Sequence, residues 1–234
     1  MKTIAVKKIK RADIADISIL EKIGVATSHE SQNRVGLMDP HIRPIYKDSR
    51  IAGSAVTVLT HPNDNWMIHV AIELCLPGDI LVVGTTDEST YGMFGDLLAT
   101  SSIARGIKGL VIDAGIRDVK ELTQMGFPVW SRVISAQGTV KERVGSVNIP
   151  IICGGQRVEP GDVVIADDDG VCIVSRKDAS QVAKKANKRV DQENKKRERF
   201  KNGELSIDLY NMRDRLKDSG LVYVESQDEL SDDE

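Results

Sequence analysis

The sequence predicts a mixed α/β domain followed by a helical extension. In the first half, amphipathic helical patterns alternate with short β-branched runs, which is typical of helices packed on a sheet. The second half consists mostly of short apolar runs separated by turn residues. Further on, the chain becomes highly charged. Residues 1–176 are therefore the predicted core, residues 177–224 a helical extension that contacts a neighbouring subunit, and residues 225–234 an acidic, disordered tail.

Composition sets the broad class of the protein. The chain has 234 residues, 41% of them hydrophobic, which is enough to bury a core. Its net charge of -3 predicts no general attraction to nucleic acid or to an anionic membrane. The three cysteines lie in apolar runs without metal-site spacing, which favours a reducing compartment. No apolar run reaches the roughly 20 residues of a membrane span. We expect a cytoplasmic protein without nucleic-acid or membrane partners.

The elements of the first half follow from hydrophobic periodicity. Apolar residues recur at three-residue spacing between residues 11 and 24, which predicts a helix that ends at Gly24. Thr27 and Glu30 have the spacing of a capping box, which predicts that a second helix begins at Thr27. The next predicted elements are a strand over 51–60, a helix over 65–75, a strand over 79–85, a helix over 96–107 and a strand over 109–115.

The second half is predicted as short strands and then helices. The strands cover residues 128–136, 147–158 and 162–175, and the helices cover residues 178–202, with Gly203 as C-cap, and 206–218. Pro-Gly-Asp occurs at 77–79 and at 160–162, and it favours type II turns over a catalytic role. The Lys and Arg residues of the long helix suggest nucleic acid. Its interspersed acidic residues favour a solvated or subunit-bridging helix.

Two opposite charges, Arg117 and Asp118, directly follow an apolar strand. The preceding helix climbs roughly 18 Å and the strand returns about 20 Å, so we expect Asp96 to lie beside them. Arg117 offers a forked donor for an anion, and Asp118 is suited to a hard divalent cation. The alternative is an Asp N-cap and an exposed Arg-Asp turn. Unpaired backbone N–H groups for a substrate carboxylate are expected at Gly95, Asp96, Leu97 and Leu98.

The charged residues also carry a family resemblance. Gly95-Asp96 and, twenty residues later, Arg117-Asp118 resemble the signature of the class II 4-hydroxy-4-methyl-2-oxoglutarate/4-carboxy-4-hydroxy-2-oxoadipate aldolases. The same superfamily contains the regulator of ribonuclease activity A, whose relatives are typically shorter at the C-terminal end. Together with the motif, the resemblance covers most of residues 10–224. The flanking stretches that resemble these aldolases are DNWMIHVAIELCLPGDILVVG, MGFPVWSRVISAQGTVKERVGSVNIPI, PGDVVIADDDGV and GELSIDLYNMRDRL.

The resemblance implies a fold and an activity. The implied fold is a β/β/α swivelling-type core, assembled as trimers or hexamers with active sites between subunits. The implied activity is retro-aldol cleavage that depends on Mg²⁺ or Mn²⁺ and releases pyruvate, often with oxaloacetate decarboxylation, in the degradation of aromatic ring-cleavage products. Which of the two aldolase substrates is preferred stays open. The alternative function is a non-enzymatic regulator that binds a ribonuclease.

The resemblance also implies residue roles. Arg117 stabilises the developing enolate oxygen, and Asp118 holds the metal. Asp96 orients a water or metal hydroxide that removes the C4 hydroxyl proton. Glu193, contributed by a neighbouring subunit, completes the metal site through bound water. Its alternative role is an i,i+4 partner for Arg197 on an exposed helix.

Four residues outside the motif are further candidates. Asn65 and Lys141 match positions that in the family face the distal carboxylates of the substrate. A helix cap and a solvated loop lysine are their alternatives. His69 and Glu73 share a helix face and could bind metal, but they lie outside the family motif, which favours a structural role.

Overall fold

Parallel strands form the centre of the sheet in the structure, a computed structural model that describes residues 3–229. The helices are α1 (Ile14–Ile23), α2 (Val25–Ser31), α3 (Trp66–Leu74), α4 (Asp96–Ala104), α5 (Val119–Gln124), α6 (Ala179–Lys201), α7 (Ser206–Leu209) and α8 (Arg213–Asp218). The strands are β1 (Arg43–Pro44), β2 (Ile51–Thr60), β3 (Asp79–Thr85), β4 (Gly92–Phe94), β5 (Gly109–Ile116), β6 (Val129–Ile134), β7 (Ser146–Val147), β8 (Ile151–Cys153), β9 (Gln156–Val158), β10 (Val163–Asp167) and β11 (Gly170–Val174).

The main sheet has the order β1-β6-β5-β3-β2-β10-β11, with β4 added to β5 and β7 to β2. Strands β2, β3, β5 and β6 run parallel, whereas β1, β10 and β11 pair antiparallel with their neighbours. Arg43 Nη1 donates to the Asp169 carbonyl at 3.1 Å, which links β1 to the turn between β10 and β11. The sheet is therefore nearly closed, like a barrel. The predicted α/β fold with N-terminal helices and a C-terminal helical extension is confirmed.

Apolar side chains cover both faces of the central strands. Helices α3, α4 and α5 pack against one face, and the hairpin of β8 and β9 lies against the other. Helices α1 and α2 and the first turns of α6 pack on β10 and β11. Strand β2 is buried along nearly its whole length, as expected for a parallel strand covered on both sides. This packing fixes the ends of β5 and the start of α4, where the charged motif lies.

The second helix does not begin where the sequence predicts. Helix α2 starts at Val25, and the Val25 N–H donates to Asp167 Oδ2 at 2.9 Å. Thr27 therefore lies inside the helix, and the predicted capping box is wrong. The cap comes from a carboxylate far along the chain, which local spacing cannot reveal. Gly24, at φ 87°, ends α1 as predicted.

Both Pro-Gly-Asp segments form the predicted turns. The aspartate N–H donates to the carbonyl three residues earlier, at 3.1 Å for Asp79 and 3.0 Å for Asp162. The central glycines, Gly78 and Gly161, have φ values of 93° and 83°, as a type II turn requires. The Asp79 carboxylate accepts two hydrogen bonds from the Arg11 guanidinium, at 2.8 and 2.7 Å. These contacts assign Asp79 to the fold.

The described chain divides into two compact units at residues 190 and 191. In the second unit, the predicted helix over 206–218 is instead α7 and α8, because Asn211 adopts a left-handed φ of 51° between them. The Phe200 and Tyr210 rings lie 6.4 Å apart. None of the described helices is long and apolar enough to cross a membrane. Residues 230–234 of the predicted acidic tail lie outside the described residues.

Candidate active site

The charged residues that follow β5 lie beside the start of α4. The Asp96 N–H donates to Asp118 Oδ2 at 3.1 Å, and the Arg117 N–H donates to the Phe94 carbonyl at 2.9 Å. The climb of α4 and the return of β5 thus bring together residues that are distant in sequence, as the lengths of the two elements predict. The predicted convergence of Asp96 with Arg117 and Asp118 is confirmed.

Gly95 allows this close approach. A Cβ at Gly95 would lie 2.2 Å from Asp118 Oδ2 and 3.2 Å from Arg117 Cγ. The first distance is below any real Cβ contact, so a side chain at position 95 would push the Asp118 carboxylate away. The glycine of the motif therefore serves the packing of the two aspartates.

Asp118 forms the start of a helix that the sequence analysis did not predict. It adopts a left-handed conformation, φ 58° and ψ 40°, as N-cap of α5, and Asp enters this region more readily than most residues. Its carbonyl accepts the Leu122 N–H at 2.9 Å. With only two apolar positions, Val119 and Leu122, the short helix carries too little periodicity to be recognised. Asp118 is thus a tight-turn residue whose carboxylate returns to α4.

The first turn of α4 is already partly occupied by protein carboxylates. The Asp96 N–H donates to Asp118, and the Leu97 N–H donates to Asp96 Oδ1 at 2.7 Å. The expectation that the N–H groups of residues 95–98 are unpaired is therefore wrong for Asp96 and Leu97. The physical reason is that the positive end of the helix attracts the nearest carboxylates. The same field favours an anionic ligand at this place.

Arg117 faces the same region with a loosely held side chain. Its Nε lies 3.6 Å from Asp118 Oδ2, which is an ion pair longer than a hydrogen bond. The Arg117 side chain is 47% exposed and that of Asp118 31% exposed. An exposed ion pair of this kind adds little stability. Its geometry leaves the guanidinium available to a ligand.

A small cavity collects the residues that the sequence analysis named for the substrate. Its volume is about 90 Å³, close to that of three water molecules in the liquid at about 30 Å³ each. Asp118 is not among the lining residues, but its carboxylate accepts the N–H of Asp96, which is one of them. The predicted substrate-binding residues that line the cavity are Asn65, residues 95–98, Arg117 and Lys141.

Asp64, which the sequence analysis missed, holds the Lys141 loop against the start of α3. It is fully buried. Its Oδ1 accepts the Trp66 N–H at 2.9 Å, and its Oδ2 accepts those of Glu142 and Arg143 at 2.7 and 2.8 Å. Burial alone would raise the Asp64 pKa, but these three donors together hold the pKa below its ordinary value. The polar pair before the apolar helix was a usable N-cap signal.

Asn65 occupies the N-cap position of α3, but its side chain makes no capping bond. Its Nδ2 donates instead to the Met93 carbonyl at 3.0 Å, and the residue is only 8% exposed. The helix-cap alternative is thus wrong for the Asn65 side chain. Lys141, in contrast, is exposed and reaches the cavity from its loop.

His69 belongs to the cavity wall, although the sequence analysis favoured a structural role for it. It lies one helical turn after Asn65, which was the signal that could have revealed it. Burial and, to a lesser extent, repulsion from Lys141 lower the His69 pKa, which favours the neutral imidazole. The cavity wall thus combines this ring with two cations, Lys141 and Arg117.

Glu193, the second predicted metal ligand, lies on α6 with its Oε2 3.5 Å from Arg197 Nη2. That ion pair is the i,i+4 alternative for Glu193. Within residues 3–229, no group of three or more His, Cys, Asp or Glu side chains is arranged to hold a metal ion, so His69 and Glu73 do not form one.

A second charged cluster surrounds Asp113, within β5. Asp113 Oδ1 accepts hydrogen bonds from Arg132 Nε at 2.8 Å and from His41 Nε2 at 3.1 Å, and Oδ2 accepts the Gly154 N–H at 2.9 Å. Burial acts to raise the Asp113 pKa, but Arg132 and the other two donors lower it below the ordinary value. The sequence analysis did not predict this cluster, because its members come from four separate segments.

Comparisons with known proteins agree with the fold and with the family resemblance. A family model described as RraA-like, Aldolase/RraA, matches residues 11–173. A protein of Halalkalibacterium halodurans named "Putative 4-hydroxy-4-methyl-2-oxoglutarate aldolase" is 31% identical over 148 residues, which is 63% of this chain and 70% of that protein. Further relatives bear the same name.

Two crystal structures share the architecture. An uncharacterized protein from Pseudomonas syringae has a TM-score of 0.76 at 23% identity, over 85% of this chain and 93% of that one. Streptomyces coelicolor RraAS2, described as an unusual member of the RNase ES inhibitor RraA protein family, has a TM-score of 0.73 at 24% identity, over 81% of this chain and 99% of that one. At these identities the likeness concerns the fold alone.

Proposed function

Because this chain belongs to the RraA-like, Aldolase/RraA family, we propose that it is a carbon-carbon lyase, a class II pyruvate aldolase that depends on a divalent metal. Its proposed substrates are 4-hydroxy-4-methyl-2-oxoglutarate, cleaved to two pyruvates, and 4-carboxy-4-hydroxy-2-oxoadipate, cleaved to pyruvate and oxaloacetate. The observation that carries the proposal is the convergence of Asp96, Arg117 and Asp118 beside a cavity of about 90 Å³. Names of relatives support the aldolase activity.

The side chains at the motif fit a hard divalent cation, Mg²⁺ or Mn²⁺. Asp118 is part-exposed and makes one hydrogen bond through one oxygen, to the Asp96 N–H. Magnesium binds through one or two carboxylates and keeps several waters, so one aspartate is a sufficient anchor. Bound there, the cation would act as a Lewis acid on the 2-oxo group of the substrate. Glu193 of a neighbouring subunit is the proposed second, water-mediated ligand.

The substrate carboxylate would enter next to two aspartates, so positive charge must compensate it. Arg117 supplies a permanent charge and a forked set of donors for planar anions. The N-terminus of α4 adds its partial positive charge, with Leu98 in the cavity wall. Lys141 is placed to attract a distal carboxylate. The pocket thus has the charge pattern for a 2-oxo diacid or triacid.

The chemistry assigned to the chain is one proton transfer and one charge stabilisation. Asp96 orients the water that takes the C4 hydroxyl proton. The C3–C4 bond then breaks, C4 becomes a carbonyl, and the electron pair forms the pyruvate enolate. Arg117 stabilises the negative charge on the enolate oxygen. A proton returned to C3 from the same water completes pyruvate. Decarboxylation of oxaloacetate would pass through the same enolate and is the proposed side activity.

The proposal is tested by pyruvate release from both hydroxy substrates, with Mg²⁺ or Mn²⁺ and with a chelator. We expect release only with metal, and Arg117→Ala should reduce turnover at least about 10³-fold without unfolding the chain. Arg105→Ala is the matched control, since Arg105 donates to the Glu73 carbonyl outside the cavity lining. Near-normal turnover of Arg117→Ala would contradict the mechanism.

The same samples can test the regulator alternative. RraAS2 shares the fold and is described as a member of the RNase ES inhibitor RraA protein family, so a pull-down with a ribonuclease should accompany the assay. Binding of the nuclease without cleavage of either hydroxy acid would favour the regulator and would overturn the aldolase proposal. A homo-oligomer, trimer or hexamer, is also proposed, and its mass in solution can be measured on the same preparation.

A further inference from the structure

Asn65 presents a buried acceptor that the local structure does not use. Its Nδ2 donates to the Met93 carbonyl at 3.0 Å. Its Oδ1 is buried and has no hydrogen-bond partner among the described residues. Capping of α3 does not need it, because Asp64 Oδ1 already accepts the Trp66 N–H. Asn65 is one of the residues that line the cavity, and the described chain leaves its amide oxygen unpaired.

The orientation of this amide follows from its neighbour. The Met93 carbonyl can only accept a hydrogen bond, so the nitrogen of Asn65 must face it and the oxygen must face away. The oxygen can only accept, and it cannot pair with a carboxylate, which is also an acceptor. The distal-carboxylate contact predicted for Asn65 would therefore fall to the second N–H of its Nδ2 and not to this oxygen. Buried polar atoms are normally paired, so a ligand with a hydroxyl donor would complete this one.

We propose that Asn65 recognises the C4 hydroxyl group of the substrate by accepting its hydrogen bond. The inference rests on the proposed aldolase function and adds a specificity residue to it. A wall built to pair with a hydroxyl rejects an analogue that lacks it, because the wall acceptor then stays unpaired. Asn65 thereby selects hydroxylated 2-oxo diacids over their unsubstituted counterparts, while Lys141 and Arg117 serve the charged groups.

The test compares two diacids that differ by one hydroxyl, 4-hydroxy-2-oxoglutarate and 2-oxoglutarate. Both are measured as competitive inhibitors of the aldol cleavage, in the presence of Mg²⁺. In the wild-type chain the hydroxylated compound should bind at least about tenfold more tightly. Asn65→Ala should bring the ratio of the two inhibition constants close to one. Asn65→Leu, which keeps the branching at Cγ without the amide, serves if the alanine variant does not fold. A wild-type ratio near one, or an unchanged ratio in the variants, would overturn the inference.

Asn148→Ala is the matched control. Asn148 is also buried, its Nδ2 donates to the Val6 carbonyl at 2.8 Å, and its Oδ1 has no partner in the described part of the chain. It lies outside the cavity lining. Asn148→Ala should therefore lower thermal stability and leave the ratio of the two inhibition constants unchanged. If this control also brings that ratio close to one, the inference is overturned. If the wild-type chain cleaves no hydroxy acid, the proposed function fails, and calorimetric titration of the two diacids with Mg²⁺ still decides the preference.

Discussion

Asp113 lies within β5 and Asp118 two residues beyond its end, and they differ in how far the protein neutralises them. Asp113 accepts three hydrogen bonds of 2.8 to 3.1 Å, and its side chain is 17% exposed. Asp118 accepts one at 3.1 Å, and the nearest arginine nitrogen is 3.6 Å away. A carboxylate has about four acceptor sites. Asp113 is thus largely committed to the fold, whereas Asp118 keeps capacity for a ligand.

The difference separates a carboxylate that is bound up in the fold from one that can still bind a ligand. The ring of donors around Asp113 ties β5 to β6 and to the turn between β8 and β9. Around Asp118 the nearby groups are a backbone N–H, a loosely paired Arg117 and a cavity. A saturated carboxylate cannot bind a metal ion without breaking its existing bonds. An unsaturated one beside a cavity can bind a metal ion, and this difference distinguishes the two sites without reference to any relative.

Asp118→Asn should give the largest effect. Asparagine tolerates the left-handed backbone at position 118 and can still accept the Asp96 N–H, so the fold is kept. It lacks the negative charge that would hold a divalent cation. We expect aldolase turnover to fall at least about 10³-fold, with the thermal midpoint within about 3 °C of wild type. If Asp118→Asn and the wild type have equal turnover at every metal concentration, Asp118 does not hold the divalent cation.

Asp113→Asn should show the opposite pattern. It removes the charge that Arg132 and His41 share, and it turns one acceptor into a donor facing other donors. We expect the free energy of unfolding to fall by about 2 kcal/mol, measured by denaturant titration. Turnover of the folded fraction should stay within about threefold of wild type. A selective loss of turnover with unchanged stability would invalidate the contrast between the two aspartates.

Gly95→Ala should have a smaller, mainly catalytic effect. The added Cβ would meet Asp118 Oδ2 at 2.2 Å, so the carboxylate must move by about an ångström. Displacements of this size at a catalytic group lower rates by about tenfold or more. The control is Gly126→Ala, where a Cβ meets no atom within 4 Å but the glycine also has a positive φ of 64°. It should lower stability slightly and leave turnover intact, and equal losses of turnover in both variants would contradict the role of Gly95.

The sequence predicts the convergence of Asp96 with Asp118 better than it predicts the contacts that hold the surrounding segments. Asp96 and Asp118 could be placed together because a helix and a strand have fixed rises per residue. Two supports could not be predicted. The cap of Val25 comes from Asp167, and the brace of the Lys141 loop comes from Asp64. Both are contacts across many residues, and hydrophobic periodicity describes only neighbours on the same element.

The smallest expected effect is a difference in acid stability. The pKa of Asp113 in the folded chain is below its ordinary 3.8, because Arg132 and two further donors outweigh burial. A lowered folded pKa adds stability that is complete above the unfolded pKa and is lost as pH falls through the folded one. Arg132 keeps its charge throughout, because its own pKa is raised by Asp113. Below pH 3.8, the free energy of unfolding should therefore fall more steeply with pH in the wild type than in Asp113→Asn. The two slopes of free energy against pH should differ by at most the equivalent of about one bound proton. Urea titrations at several pH values below 5 would measure this, and parallel slopes would mean that Asp113 is not the stabilising charge on β5.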